Sequence, residues 1–138
     1  MDWFPALLAA LASILGSDDL RWAGVLSDLD DVRAEAFATA DPEILDRVYV
    51  SGSAARDVDA ARIRDYQLRG AHVVGADLIV LSCHVKDASA DRVSLDVIDR
   101  LAAADVVWAD GTTRALPRDL PTQRVVMLVR TADGWRIA

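Results

Sequence analysis

Hydrophobic positions follow a helical spacing in the first half of the chain and a strand alternation in the second half. The clearest helical pattern covers residues 20–40, where one stripe recurs at three- and four-residue spacing. The stripe consists of Trp22, Val25, Leu26, Leu29, Arg33, Ala36, Phe37 and Ala40. Arg33 is its polar member, so we expect a partly covered stem with a guanidinium that either reaches a buried acceptor or turns outward to solvent.

Three further helices are predicted around this one. Residues 4–15 are apolar on nearly every face and consist largely of strong helix formers, ending at Gly16. Asp41-Pro42-Glu43 places an N-cap before a proline and predicts a short helix that turns Tyr49 inward. Asp57 is predicted to cap a helix over residues 58–69, with Gly70 in the left-handed position at its C-terminal end.

From Ala71 onward the hydrophobic period is two, which indicates strands. In residues 78–86 this alternation puts one set on one face, namely Ile79, Leu81, Cys83 and Val85, and the other set on the opposite face, namely Val80, Ser82 and His84. Residues 92–101 alternate more cleanly, and Asp99 has the phase of the buried set. Asp110-Gly111 and Ala132-Asp133-Gly134 predict two tight hairpins between the later strands.

Helices gathered before strands, with short connections, predict an α+β fold in which the helices pack on one face of a curved antiparallel meander. The chain has 138 residues, of which 53% are hydrophobic, and this suits one domain with a substantial core. We expect residues 20–138 to form that domain and residues 1–16 to add an apolar helix. A curved sheet around helices leaves a hollow, whose open end the first helix is expected to plug.

The element order and five short motifs resemble the nuclear transport factor 2-like (SnoaL-like) superfamily, and in particular a group of uncharacterised actinobacterial domains of that fold. The motifs are Leu29-Asp30-Asp31-Val32-Arg33-Ala34-Glu35-Ala36-Phe37, Asp41-Pro42, Val48-Tyr49, Gly52-Ser53 and Asp133-Gly134-Trp135-Arg136-Ile137. The resemblance covers residues 20–138. It implies a cone-shaped domain with a ligand entrance at its open end. The superfamily includes ketosteroid isomerases, polyketide cyclases, epoxide hydrolases, dehydratases and members that only bind or dimerise, so the fold does not choose among them.

Asp99 is the leading candidate for a functional residue. A carboxyl on the apolar face of a strand has its pKa raised by burial and can act as a general base or a neutral hydrogen-bond donor. The alternatives are that a β-bulge returns Asp99 to solvent, or that it pairs with Arg33 or Arg100. The sequence leaves these alternatives open.

Three aromatic residues are further candidates for ligand binding. Tyr49 and Tyr66 either point their hydroxyls into the hollow as hydrogen-bond donors or form core edges with a wet tip. Trp108 either frames a ligand pocket or fills the concave side of the sheet. Each therefore has a packing interpretation beside the functional one.

Other reactive side chains have structural interpretations. Asp28, Asp30 and Asp31 are expected to spread over the solvent side of their helix as a charged face. Neither His72 nor His84 has a partner at ligand spacing, so neither a metal site nor a cofactor is expected. Cys83 directly precedes His84 in a strand, so these two side chains should point to opposite faces and not form a catalytic pair.

Charge and hydropathy limit the possible partners. The formal net charge is −7, which argues against nucleic acid. Residues 3–15 are too few to span a membrane, and the leading charge is Asp2, where a signal peptide has Lys or Arg. Membrane insertion by this chain is therefore not expected. Its compartment stays open: it is either cytoplasmic or the extracytoplasmic domain of an anchored protein.

Two functional hypotheses remain. The first is a non-catalytic ligand-binding or assembly domain, which accepts an apolar small molecule in the cone or forms a homodimer through the outer sheet face. Val80 and Ile98 are expected to form an exposed apolar strip on that face. The alternative is a small acid–base enzyme, an isomerase, cyclase or hydrolase, that acts on a hydrophobic molecule with Asp99 and one tyrosine.

Overall fold

The computed structural model describes residues 17–138, so the predicted first helix and its role as a plug lie outside the described residues. In chain order the elements are α1 (Ser17–Ala38), a 3₁₀ helix (Pro42–Arg47), α2 (Ala54–Leu68), β1 (Ala71–Val74), β2 (Leu78–Ala88), β3 (Arg92–Leu101), β4 (Asp105–Trp108), β5 (Thr113–Ala115), β6 (Thr122–Thr131) and β7 (Gly134–Ile137). Helices precede antiparallel strands, which confirms the α+β class.

The helix termini follow the predicted capping chemistry with one exception. The Asp41 side chain accepts a hydrogen bond from the Glu43 backbone N–H and starts the 3₁₀ helix, as predicted. Gly70 ends α2 with a φ of +69°, also as predicted. The predicted Asp57 cap is wrong, because α2 begins one turn earlier, where the Ser53 hydroxyl accepts from the Arg56 N–H at 3.2 Å.

The strands form two antiparallel sheets, so the prediction of one continuous meander is wrong. One sheet has the order β2-β3-β6-β7 and the other the order β1-β4-β5. Both predicted hairpins are present, since β4 pairs with β5 and β6 pairs with β7. The first hairpin pairs with β1 instead of extending the larger sheet, and β6 returns to β3.

A β-bulge at Leu81 reverses the predicted faces in the first half of β2. Val80 lies opposite Asp99 and Cys83 lies opposite Val97, with one extra residue between the two pairings. Because of the extra residue, Val80 and Cys83 lie on the same face of the sheet although they are three residues apart, whereas in a regular strand they would lie on opposite faces. Val80 consequently packs against the core, whereas Ile79 and Leu81 are 38% and 52% exposed. The predictions that Val80 faces outward and that Ile79 and Leu81 share the face of Cys83 are therefore wrong.

The core lies between the helices and the inner sheet faces. The α1 stripe is buried as predicted, and α1 packs on β1 and β2 while α2 packs on β1. The Trp22 ring meets the edge of Trp135 with centroids 4.7 Å apart. The Asp19 carboxylate accepts from the Val85 N–H at 2.8 Å and ties the start of α1 to β2. No helix within residues 17–138 combines the length and the apolar character that crossing a bilayer requires.

Candidate functional site

A cleft of about 410 Å³ opens between α1, α2 and the inner face of the larger sheet. Its walls bring together three aspartates and three arginines from two helices and two strands. The lining residues are Asp30, Arg33, Tyr49, Ala55, Val58, Asp59, Arg62, Leu78, Asp99, Arg124 and Ile137. This concentration of charge in a partly enclosed space marks the cleft as the candidate functional site.

Asp59 is the acceptor that the buried stem of Arg33 implied. Arg33 Nε donates to Asp59 Oδ2 at 2.7 Å and Nη2 donates to Oδ1 at 3.1 Å, while the Tyr49 hydroxyl donates to Oδ2 at 2.6 Å. Burial alone would lower the pKa of Arg33, but the hydrogen bond and charge of Asp59 outweigh it and raise that pKa. Burial, followed by the Asp59 charge, raises the pKa of Tyr49. Tyr49 therefore remains a protonated donor.

Asp99 is buried on the inner face of β3, as its phase predicted. It pairs with neither Arg33 nor Arg100. Its Oδ2 accepts from Arg124 on β6, at 2.7 Å from Nη2 and 3.0 Å from Nε. A second ion pair thus closes the sheet side of the cleft.

Asp30 is the exceptional residue of the cleft. It is only 4% exposed, and neither carboxylate oxygen has a hydrogen-bond partner among residues 17–138. Burial raises the pKa of Asp30 to about 7, although the positive charges of Arg124 and Arg33 oppose the shift. A carboxyl in this state exchanges its proton near neutral pH and has unused hydrogen-bonding capacity inside the cleft.

The prediction that Asp30 belongs to a solvent-facing charged surface is wrong. Asp30 lies four residues after Leu26 and three before Arg33, and both neighbours point inward. Asp28 and Asp31 are exposed as predicted. The helical spacing of Asp30 was therefore the signal for its burial, and the acidic residues beside it concealed that signal.

Asp59 and Arg124 were also missed by the sequence analysis. Asp59 carried a usable signal, because it precedes the buried Ile63 by one helical turn on α2. Arg124 carried none. The role of Arg124 depends on the pairing of β6 with β3. This pairing puts Arg124 opposite Val97, and Asp99 lies two residues after Val97 on the same face of β3.

The predicted aromatic residues occupy three different environments. Tyr49 lies in the cleft together with Asp99. Tyr66 lines an adjoining apolar hollow of about 230 Å³. Trp108 is half-buried on β4 opposite Ala71 and lines neither the cleft nor the hollow.

Cys83 and His84 lie on opposite faces of β2, as predicted. The thiol is buried, and burial raises the pKa of Cys83. The exposed imidazole places Nδ1 at 3.3 Å from Asp19 Oδ2. Across the part of the chain that the structure describes, no three His, Cys, Asp or Glu side chains are grouped as metal ligands.

Comparison with known proteins identifies the fold and not an activity. The intermembrane space region of chloroplast protein ARC6 superposes with a TM-score of 0.54 at 16% identity, covering 86% of this chain and 91% of that one. A protein from Catenulispora acidiphila gives 0.50 at 15% identity over 88% and 89%, and the Kfla4162 protein from Kribbella flavida gives 0.49 at 18% over 81% and 82%. No family model and no curated protein matches this chain. The α+β architecture is consistent with the nuclear transport factor 2-like cone fold.

Replacing Tyr49 by phenylalanine should destabilise the protein by about 1–2 kcal/mol, because a buried hydrogen bond to the Asp59 carboxylate is lost. Tyr66→Phe is the matched control: its hydroxyl makes no hydrogen bond within the described residues, so we expect a change within about 0.5 kcal/mol. Urea unfolding of both variants measures the difference. Equal effects at the two positions would contradict the assigned role of Tyr49.

Replacing Asp30 by asparagine should make the protein progressively more stable than wild type as the pH rises from 4 to 8. The folded pKa of Asp30 is about 7 against an ordinary value of 3.8, so the folded state binds the proton more tightly. Wild type therefore loses stability over this range, by roughly 4 kcal/mol at about 1.4 kcal/mol per unit of pKa difference. Asparagine has no proton to lose and escapes that loss.

Urea unfolding at several pH values measures this difference. Asp28→Asn, at an exposed position two residues before Asp30 on the same helix, is the control and should leave the pH dependence of wild type unchanged. Parallel curves for Asp30→Asn and wild type would show that Asp30 is not desolvated in solution.

Proposed function

We propose that this chain is a ligand-binding domain of the nuclear transport factor 2-like fold, and that its cleft binds a small molecule through Asp30. One observation carries the proposal: both Asp30 carboxylate oxygens are buried in the cleft without a hydrogen-bond partner among the described residues. A buried polar group without a partner costs on the order of 1–3 kcal/mol, and more when it is charged. A ligand that supplies the missing hydrogen bond recovers that free energy.

The other two aspartates of the cleft support Asp30 as the contact. Asp59 already accepts from Arg33 and Tyr49, and Asp99 already accepts from Arg124. These bonds hold both walls of the cleft in place without a ligand. Asp30 is the acidic group between them that remains available to a ligand hydroxyl, amine or carbonyl.

The raised pKa of Asp30 favours a second candidate function, an acid–base isomerase, cyclase or hydrolase. A carboxyl with a pKa of about 7 accepts and returns a proton efficiently at neutral pH. In this version Asp30 replaces Asp99 as the general base, because Asp99 is engaged with Arg124. Tyr49 then positions Asp59 and does not touch the substrate.

Native mass spectrometry of protein purified gently from its own host tests the binding function. Wild type should retain a small molecule that denaturation releases. Asp30→Asn should retain clearly less of it, whereas Asp31→Asn should retain as much as wild type. Empty wild-type protein, or equal retention by Asp30→Asn, would contradict binding through Asp30.

The same released molecule separates a binder from an enzyme. It is returned to ligand-free wild type and to Asp30→Asn, and proton NMR spectra are followed over time. An unchanged spectrum supports a binding domain. A new product formed by wild type and not by Asp30→Asn supports the acid–base enzyme.

We also propose that the outer face of the larger sheet forms a homodimer interface. On this face Ile79, Leu81 and Val125 are 38%, 52% and 57% exposed. Ile98 lies beside them on β3, with Asp96 two residues before it and Arg100 two residues after it. Two copies related by a twofold axis through Ile98 would place each Asp96 opposite the partner's Arg100, and an isologous interface requires such self-complementarity.

Leu81→Glu should convert the dimer to monomers without unfolding, because it puts a charge in the apolar centre of the face. Leu120→Glu is the control, since Leu120 is also exposed but lies between β5 and β6. Sedimentation velocity measures the mass, and circular dichroism checks the fold. A monomeric wild type, or an unchanged Leu81→Glu dimer, would contradict this interface.

A further inference from the structure

The cleft and the apolar hollow lie next to each other. Arg33 and Arg62 line both, and they mark the boundary between a polar part near Asp30 and an apolar part. The apolar part is walled by Phe37, Tyr66, Val73, Ala76, Leu101 and Leu116. A cavity of about 150 Å³ holds benzene, so the hollow, at about 230 Å³, has room for one substituted ring.

The two arginines at the boundary differ in their availability. Arg33 gives Nε and Nη2 to Asp59, and its guanidinium covers the Phe37 ring at 4.9 Å. The Arg62 side chain is 63% exposed, and its nearest carboxylate oxygen, Asp59 Oδ1, lies 3.9 Å away. That distance is too long for a hydrogen bond, and the same oxygen already accepts from Arg33.

Arg62 therefore has guanidinium donors from which no described carboxylate accepts a hydrogen bond. Arg33 balances Asp59 and Arg124 balances Asp99. A further depression, which Arg33 and Arg62 also line, adds Arg118 and Asp119. The Asp119 carboxylate accepts from the Leu101 N–H at 2.6 Å. Apolar walls with an available guanidinium at their edge fit a molecule that has an apolar body and one anionic group.

We propose that the ligand is a small apolar carboxylic acid, with its ring or short hydrocarbon body in the hollow and its carboxylate at Arg62. This inference rests on the proposed small-molecule function and specifies its ligand class. The body contacts Phe37 and Leu116, which both line the hollow. A further polar group of the ligand reaches Asp30 across the boundary.

Two probes of equal size and different charge test the ligand class, namely 3-phenylpropanoate and 3-phenylpropanol. Calorimetric titration gives their affinities for wild type, Arg62→Gln and Arg64→Gln. Arg64 is exposed on the same helix and lines neither the cleft nor the hollow, which makes it the matched control. Methyl NMR shifts of Leu101 and Leu116 report whether the ring enters the hollow.

Wild type should bind the acid about tenfold more tightly than the alcohol, as one charge-assisted contact of about 1.4 kcal/mol would give. Arg62→Gln should bind both probes equally, Arg64→Gln should behave as wild type, and the leucine methyl signals should shift. Equal binding of both probes to wild type overturns the acid class and leaves the small-molecule function standing.

Binding of neither probe, or binding without shifts at Leu101 and Leu116, also overturns the ligand class. The small-molecule function is then decided separately by the native mass measurement, which depends on no chosen probe.

Discussion

The paired bonds between Arg33 and Asp59 hold α1 and α2 together, and the candidate site depends on them. Both side chains are largely buried, so their desolvation offsets much of their mutual attraction, and the pair is not a strong source of net stability. Its effect is geometric. The forked guanidinium fixes the distance and the rotation between two helices, and the Tyr49 hydroxyl donates to Oδ2, the carboxylate oxygen that also accepts from Arg33 Nε.

Asp30 acquires its unusual environment from that arrangement. It lies one turn before Arg33 on α1, so the contact that anchors Arg33 also keeps Asp30 facing the sheet. An apolar residue there would pack without the cost of desolvating a carboxyl. Retaining an aspartate at this position is the kind of local instability that functional sites carry and that the rest of the fold offsets.

Local rules predicted much of the fold. The α1 stripe, the Asp41 cap, the left-handed Gly70 and both glycine hairpins depend on a few neighbouring residues, and all of them are present. The bulge at Leu81 was not predictable, because an extra residue in one strand has meaning only against its partner strand. The division into two sheets likewise depends on where β1 finds a partner.

The candidate site was predicted in part, for the same reason. Asp99 was a candidate because of its phase on β3, and Tyr49 because of its inward position after the short helix; both line the cleft. Arg124, as the partner of Asp99, required the pairing of two strands more than twenty residues apart. Predicting Asp30 and Asp59 as site residues would have required accepting that an aspartate at an inward helical position can be buried. Whether it is buried depends on the other elements that pack around it.

The extra residue at Leu81 determines which β2 side chains face the cleft and which face outward. Leu78 lines the cleft and Ile79 faces outward, and this assignment holds only while the bulge is present. Loss of a single codon there would remove this bulge and exchange the faces of the residues before it. One genetic event would thus change the wall of the cleft and the outer surface together, so the two surfaces of this sheet are inherited as a linked pair.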